Sequence, residues 1–365
     1  RRLDDLEPVD RAAAQLTGGA GVTLAAAQRH ARAAGLDLAI DFAARDSATL
    51  GGIVATNAGG ERVLRHGTAR TQVRGLEAVL ADGSVVTRLS GLPKDNVGYD
   101  LASLLVGSEG TLGIVTRVRL ALVPPRPGRV VALVAVTGTA AVIDAVQTLR
   151  ARLPSLEAAE VFYAGELDLV CTSLGLPRPF RHEHPAYLLV ECAAPRDPTD
   201  DVVAALADLG EVRDAAIATD GPRRSALWRY REGLTEAISA AGVPLKLDVA
   251  IPPASLATFD AELRTTVAGI APAARLLVFG HVAEGNLHIN VLDGNEPQLE
   301  GLTEAVLGLV ARFGGSISAE HGVGRAKVRW VHLSRSPEEL AAMRAVKNAL
   351  DPGWLLNPGV IFPAS

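Results

Sequence analysis

Residues 123–136, VPPRPGRVVALVAV, divide the chain and open its larger half. Pro124, Pro125 and Pro127 stop helix and sheet alike, so a domain boundary is expected there. The apolar run at 130–136 reads as a buried strand and falls far short of the ~20 residues of a membrane-spanning helix. Helical and strand-like patterns then alternate. Helices are predicted over 139–153, 199–209, 254–268 and 298–313, and strands over 187–192, 246–251, 275–281 and 287–292. This predicts an antiparallel sheet with helices on one face, an α+β fold of ferredoxin-like type. Ser336 is placed to cap a last helix, with Glu339 completing a capping box and Pro352-Gly353 ending it.

Upstream of the prolines, residues 23–35 predict a short Ala-rich helix closed by Gly35. Residues 50–60, LGGIVATNAGG, are too rich in glycine for regular structure yet barely polar. Buried irregular backbone of this kind needs partners for its N–H groups. Strands at 76–80 and 85–87 flank Ala81-Asp82-Gly83, a hairpin turn. A second glycine-rich piece, VGSEGTLGIV at 106–115, runs into a further strand. The cluster LTGGAG at 16–21 reads as a turn joining a strand pair.

The bulk numbers bound the function. At 365 residues the chain suits two domains. Its 48% hydrophobic and 21% charged residues describe a soluble globular protein. A formal charge of −5 without a basic stripe argues against nucleic acid as a partner. Cys171 and Cys192 lack CxxC or CxxxC spacing, which excludes a disulfide framework and an iron–sulfur cluster held by this chain alone. Both read as buried small hydrophobes in a reducing cytosol.

Two segments carry chemistry. In FGHVAEGNLHINV (279–291), a two-residue turn at Glu284-Gly285 would set His281 directly opposite His288. Cross-strand partners bring their Cβ atoms to roughly 5 Å, within reach of one metal ion. In GGSISAEHGVGRAKVRW (314–330), Glu320 and His321 follow a short apolar strand and precede two glycines. Alternation turns the two side chains different ways. Glu320 can complete a two-His-one-carboxylate set, and His321 is suited to be a general base. Arg231 and Lys246 could hold a carboxylate, although charges in such positions are more often merely solvated. Trp228 to Glu232 reads as the opening of a helix.

Six ordered segments resemble one family: GGIVATNAGGERVLRHGTAR (51–70), KDNVGYDLASLLVGSEGTLGIVT (94–116), WRYREG (228–233), GHVAEGNLHINV (280–291), SAEHGVGRAK (318–327) and LDPGWLLNPG (350–359). The sequence is similar to FAD-linked oxidases of the vanillyl-alcohol oxidase/p-cresol methylhydroxylase fold. Within them it resembles D-2-hydroxyglutarate dehydrogenases, D-lactate dehydrogenases and the flavin-linked component of glycolate oxidase. The resemblance implies that His281, His288 and Glu320 bind a divalent metal, zinc or manganese, and that His321 accepts the substrate proton. Arg231, Thr235, Lys246 and Asn286 fall on substrate-binding positions. Gly51, Gly52, Thr56, Asn57, Gly59, Gly60, Glu109, Gly110, Gly113, Ile114, Val115 and Asn357 fall on positions that surround FAD.

The implied reaction oxidises a D-2-hydroxy acid, such as 2-hydroxyglutarate or lactate, to the 2-oxo acid by hydride transfer to flavin N5. Electrons would pass to a quinone, an electron-transfer flavoprotein or an iron–sulfur partner. The expected setting is the cytoplasm, peripheral at the inner membrane through that acceptor, with a homodimer compatible. The expected domains are the second lobe of an FAD-binding domain over 1–124, a substrate cap with the metal site over 125–325, and a helical segment over 326–365 returning to the flavin. The family carries an N-terminal lobe with a PGGGTG-like phosphate loop, and nothing like it precedes Leu50, so the chain is expected to begin after that lobe. Two alternatives stay open: a non-catalytic metal-binding fragment unable to hold FAD, and an enzyme like the flavin-dependent alkyl-glycerone-phosphate synthases.

Overall fold

A computed structural model describes residues 3–363. Its chain forms two compact units, Arg1–Pro125 with Glu320–Ser365, and Arg126–Ala319.

The first unit is built on four strands, β1 (Gln15–Gly19), β2 (Val73–Val79), β3 (Val85–Arg88) and β4 (Ile114–Ala121), in the order β1-β4-β2-β3. All neighbours are antiparallel. Only the end of the LTGGAG cluster, Ala20-Gly21, is a turn. Its first four residues belong to β1, which pairs with β4 from Gln15↔Ala121 to Gly19↔Arg117, while Gly19 donates its N–H to Asp5 O. The 80–84 hairpin forms as its turn residues predict, with Ser84 N–H on the Asp82 carboxylate and Gly83 at φ +84°.

The helix predicted at 23–35 spans Leu24–Ala33, with the Thr23 hydroxyl accepting from Ala26 N–H. The glycine-rich start of 50–60 is not irregular: Leu50–Thr56 is a helix, capped by Thr49 and ended by Asn57 in the left-handed region. Two glycines weaken it by roughly 1 kcal/mol each. Gly51 is nonetheless required, since a Cβ there would lie 2.7 Å from the Ala20 Cβ. Packing overrides propensity here. The C-terminal helix Pro337–Leu350 shows both bonds of the Ser336/Glu339 capping box. Its Lys347, 2% exposed, donates to Thr111 O, Leu356 O and the Asp351 carboxylate.

The second unit holds a seven-stranded antiparallel sheet: β5 (Gly128–Val136), β6 (Leu156–Tyr163), β7 (Ala186–Ala194), β8 (Val212–Ala218), β9 (Leu245–Ala250), β10 (Arg275–His281) and β11 (Asn286–Leu292). The spatial order is β8-β5-β7-β6-β10-β11-β9. Neither β6 nor β8 is among the strands expected from the sequence. In LEAAEVFY every residue is buried, so β6 shows no alternation and its two glutamates mask the strand pattern. VRDAAIA does alternate, and that period is a usable sign of β8.

Helices cover both faces of this sheet rather than one. Consecutive positions of β5, β6 and β7 are buried, which requires cover on either side. One face carries a core in which Phe162, Tyr187, Leu189, Leu277 and Phe279 meet the helices Ala164–Leu174, Gly221–Glu232 and Leu234–Ala241. The WRYRE segment ends the helix Gly221–Glu232 instead of opening one. Both cysteines are buried. Among the described residues, no helix is long and apolar enough to cross a membrane.

Candidate metal and substrate site

The sheet face of the second unit that bears Phe162 and Phe279 turns polar toward β9. Strand parity places Glu160 of β6, His281 of β10, Asn286, His288 and Asn290 of β11, and Lys246 and Asp248 of β9 on that face. The β10–β11 register differs from the expected one. Phe279, not His281, is the partner of His288, and Val282–Glu284 forms a 3-10 turn closed by Gly285. The connection is thus longer than the expected two residues. Gly285 sits at φ +78°, and a Cβ there would lie 1.9 Å from Ile251 O. The register has moved by two residues, which preserves the face, whereas a shift of one would reverse it. The two imidazoles consequently still meet, with ring centroids 5.4 Å apart and planes at 82°.

Each histidine has a carboxylate on the neighbouring strand. Glu160 is the cross-strand partner of His281, and its Oε1 accepts from Nδ1 at 2.6 Å. Asp248 is the partner of His288, with Oδ1 3.5 Å from Nδ1. A ligating imidazole is commonly oriented through its other nitrogen in this way. Glu160 Oε2 accepts from Arg231 Nε at 2.8 Å, and the Arg231 guanidinium lies over Phe279, 4.5 Å from the ring centroid. Burial pushes the Glu160 carboxyl up. The charges of His281 and Arg231 more than offset this and hold it below the ordinary glutamate value. Trp228 and Tyr230, on the same helix as Arg231, pack into the core and donate to the Glu191 carboxylate and Pro177 O.

Asn286 gives both amide protons away, to Asp248 Oδ1 at 2.8 Å and Val249 O at 3.0 Å. Its own Oδ1 is buried and has no hydrogen-bond partner among the described residues. A buried acceptor left unmade is costly, so this atom marks a place for a donor ligand. The paired imidazoles, the carboxylate behind each and this orphaned oxygen fit a divalent metal with an oxygenated substrate beside it. Lys246 is exposed on β9 opposite Asn290, and Thr235 is exposed in the first turn of Leu234–Ala241.

The remaining expected site residues lie in the first unit. Glu320 is half-buried, and its Oε1 accepts from Gly60 N–H at 2.8 Å. A Cβ on Gly59 would stand 2.7 Å from that oxygen. Gly59 therefore makes room for the carboxylate, whereas a Cβ on Gly60 would meet Asp41 O at 2.2 Å. His321 follows, exposed. The Glu109 carboxylate accepts from Val323 N–H at 2.8 Å and Gly324 N–H at 2.7 Å, and its own N–H donates to Ala55 O. The Asn357 amide donates to Glu109 O and lies 3.1 Å from where a Gly110 Cβ would stand. Glu109 thus braces the loop that follows His321.

Among the residues expected around FAD, Gly51, Gly59, Gly60, Glu109, Gly110 and Gly113 are engaged within the unit, and Val115 and Asn57 are half-buried. Gly52 and Thr56 are exposed one helical turn apart, Asn357 is exposed, and Ile114 is 57% exposed at the start of β4.

Comparison with known proteins identifies the family. A family described as FAD linked oxidases, C-terminal domain, matches residues 126–361, and one described as FAD binding domain matches residues 1–88. A D-2-hydroxyglutarate dehydrogenase of Xanthomonas citri pv. viticola is 39% identical over 370 residues, covering 98% of this chain and 77% of that protein. The mitochondrial D-2-hydroxyglutarate dehydrogenase of Bos taurus is 41% identical over 355 residues, 94% of this chain, and the chain spans only 64% of its length. The 4-ethylphenol oxidase of Gulosibacter chungangensis superposes with a TM-score of 0.74 at 18% identity, covering 100% of this chain and 79% of that one, which shows a shared fold. Mixed helix and antiparallel sheet, the order of the motifs and both family matches lead to one conclusion: the chain belongs to the FAD-linked oxidase family.

Proposed function

We propose that the protein oxidises a D-2-hydroxy acid, with D-2-hydroxyglutarate the first candidate, to the corresponding 2-oxo acid. One observation carries this reading: paired imidazoles share a sheet face with a buried arginine, and a single carboxylate bonds both His281 and Arg231. That is a combination for a ligand that is at once metal-binding and anionic.

His281 and His288 would hold a divalent zinc or manganese ion, with Glu320 as the third ligand, and the ion would polarise the 2-hydroxyl group. FAD, when bound against the first unit, supplies the two-electron acceptor for the α-hydrogen. The protein's own part is binding and proton transfer. Arg231 pairs with a substrate carboxylate through its terminal N–H groups, because Nε is already taken by Glu160. Lys246 and Thr235 extend this grip to a second carboxylate. Asn286 can only accept, so its Oδ1 suits the hydroxyl side of the substrate or a water beside the ion and not a carboxylate. His321 takes the hydroxyl proton as the carbonyl forms. The electrons then pass to an acceptor such as a quinone, an electron-transfer flavoprotein or an iron–sulfur partner.

The test is the visible spectrum of the protein, isolated with flavin and mixed anaerobically with D-2-hydroxyglutarate. Bleaching of the flavin band is expected. A yellow protein that D-2-hydroxyglutarate and D-lactate both leave unbleached would overturn the proposal.

A further inference from the structure

Glu160 is 0% exposed in the middle of a strand whose residues are all buried. An ionised carboxylate in such a place costs several kcal/mol in desolvation before its partners are counted. An apolar residue would serve β6 better if packing were the only demand. What Glu160 does with its two oxygens is specific. Oε1 accepts from His281 Nδ1 at 2.6 Å and Oε2 accepts from Arg231 Nε at 2.8 Å. Those donors, 50 residues apart in sequence, come from β10 and from the helix Gly221–Glu232.

We infer that Glu160 is a positioning residue that sets the metal ligand His281 and the substrate-binding Arg231 through one carboxylate. The inference rests on the function proposed above. A carboxylate at Nδ1 requires the tautomer with a proton there, so Nε2 is the nitrogen presented to the metal. At the other oxygen, fixing Nε turns the planar guanidinium so that its terminal N–H groups point away from Glu160. Phe279 beneath it limits rotation. Metal affinity and substrate affinity therefore share an anchor. A change at Glu160 should weaken both together, although Glu160 touches neither metal nor substrate.

Glu160→Gln separates this from a merely structural role. The amide keeps the shape but has one acceptor where two donors need one. Either Arg231 loses its partner, or the Gln NH2 faces His281 Nδ1 and forces the opposite tautomer, with Nε2 protonated and unable to ligate. Zinc chloride titrated by calorimetry into the metal-stripped full chain is expected to bind at one site, and His288→Ala should abolish it. If the amide turns its NH2 to His281, Glu160→Gln should bind zinc about 10- to 100-fold more weakly. If it turns its NH2 to Arg231, zinc binding should hold and KM for D-2-hydroxyglutarate at saturating zinc should rise instead. Zinc binding within twofold of the parent together with an unchanged KM would overturn the inference and leave the proposed function standing. A parent that binds no zinc would overturn both. Should Glu160→Gln fail to fold, histidine-labelled parent protein answers the question by 15N NMR. The neutral ring of metal-free His281 should carry its proton on Nδ1, and a neutral ring protonated on Nε2 alone overturns the inference.

Discussion

His281 and His288 stand diagonally across the β10–β11 hairpin, on the same face but not as cross-strand partners, with ring centroids 5.4 Å apart. The residue that does face His288 is Phe279, whose ring lies 5.1 Å from it and also under Arg231. Diagonal neighbours on one face are still within reach of each other for ring-bearing side chains, so both imidazoles can offer a nitrogen to one ion. His288→Ala should therefore abolish stoichiometric zinc uptake, measured by metal analysis after dialysis. It should leave the melting temperature of the metal-free protein within a few degrees, since His288 is only half-buried. Retention of one zinc per chain would refute the ligand assignment.

Arg231→Lys keeps a positive charge and loses the fork. Reduction of bound flavin by D-2-hydroxyglutarate should need about 10- to 100-fold more substrate, in line with the 1.5–3 kcal/mol ascribed to charged hydrogen bonds. Arg231→Ala is expected to be worse in a different way. It strands Glu160 without its cation, and a broken buried pair costs roughly 3–5 kcal/mol. Stopped-flow flavin reduction reads the first effect and urea unfolding the second.

Glu166 lies on the helix Ala164–Leu174, is 2% exposed, and accepts from Val278 N–H in β10. It takes over as acceptor just beyond the end of the β6–β10 ladder. Burial holds its carboxyl up at about 7, against an ordinary value of 4.5. A raised carboxyl means that folding favours the protonated form. The associated stability is complete below about pH 4.5 and is lost as the pH rises through 7. Glu166→Gln can still accept from Val278 and has no charge to bury. At pH 8.5 it should be more stable than the parent by an amount on the order of 3 kcal/mol, with the advantage vanishing near pH 5. Equal differences in unfolding free energy at the two pH values would count against a buried charge there.

Lys347 and Asp351 form an ion pair at 2% and 0% exposure within the first unit. Lys347 joins the C-terminal helix to Thr111 and Leu356, while Asp351 accepts from the N–H groups of Leu355 and Leu356. Lys347→Met leaves the carboxylate buried without its cation and should cost roughly 3–5 kcal/mol. A melting temperature unchanged by this substitution would show that the pair does not hold the C-terminal segment in place.

Much of this architecture was legible because it rests on local chemistry. The prolines at 124–127 straddle the boundary between the units, and Ser336 with Glu339 caps the last helix. Asp82-Gly83 turns the hairpin, and alternation along 286–290 puts Asn286, His288 and Asn290 on one face. Those features depend on the period of a strand, the reach of a hydroxyl and the freedom of a glycine, and each can be read from a few neighbouring residues.

Only the tertiary structure decided what depends on partners distant in sequence. Leu50–Thr56 is helical with a glycine at 51 that lies against Ala20, and nothing within 50–60 announces that contact. The histidine register follows from where Gly285 meets Ile251. Glu160, read in sequence as one acidic residue in an unrecognised strand, acquires its role from His281, 121 residues away, and from Arg231, 71 residues away. The sequence states which groups are present and which way a strand turns them. A buried charge is tolerable only when folding brings its counter-charges to it, and that meeting is a property of the assembled sheet.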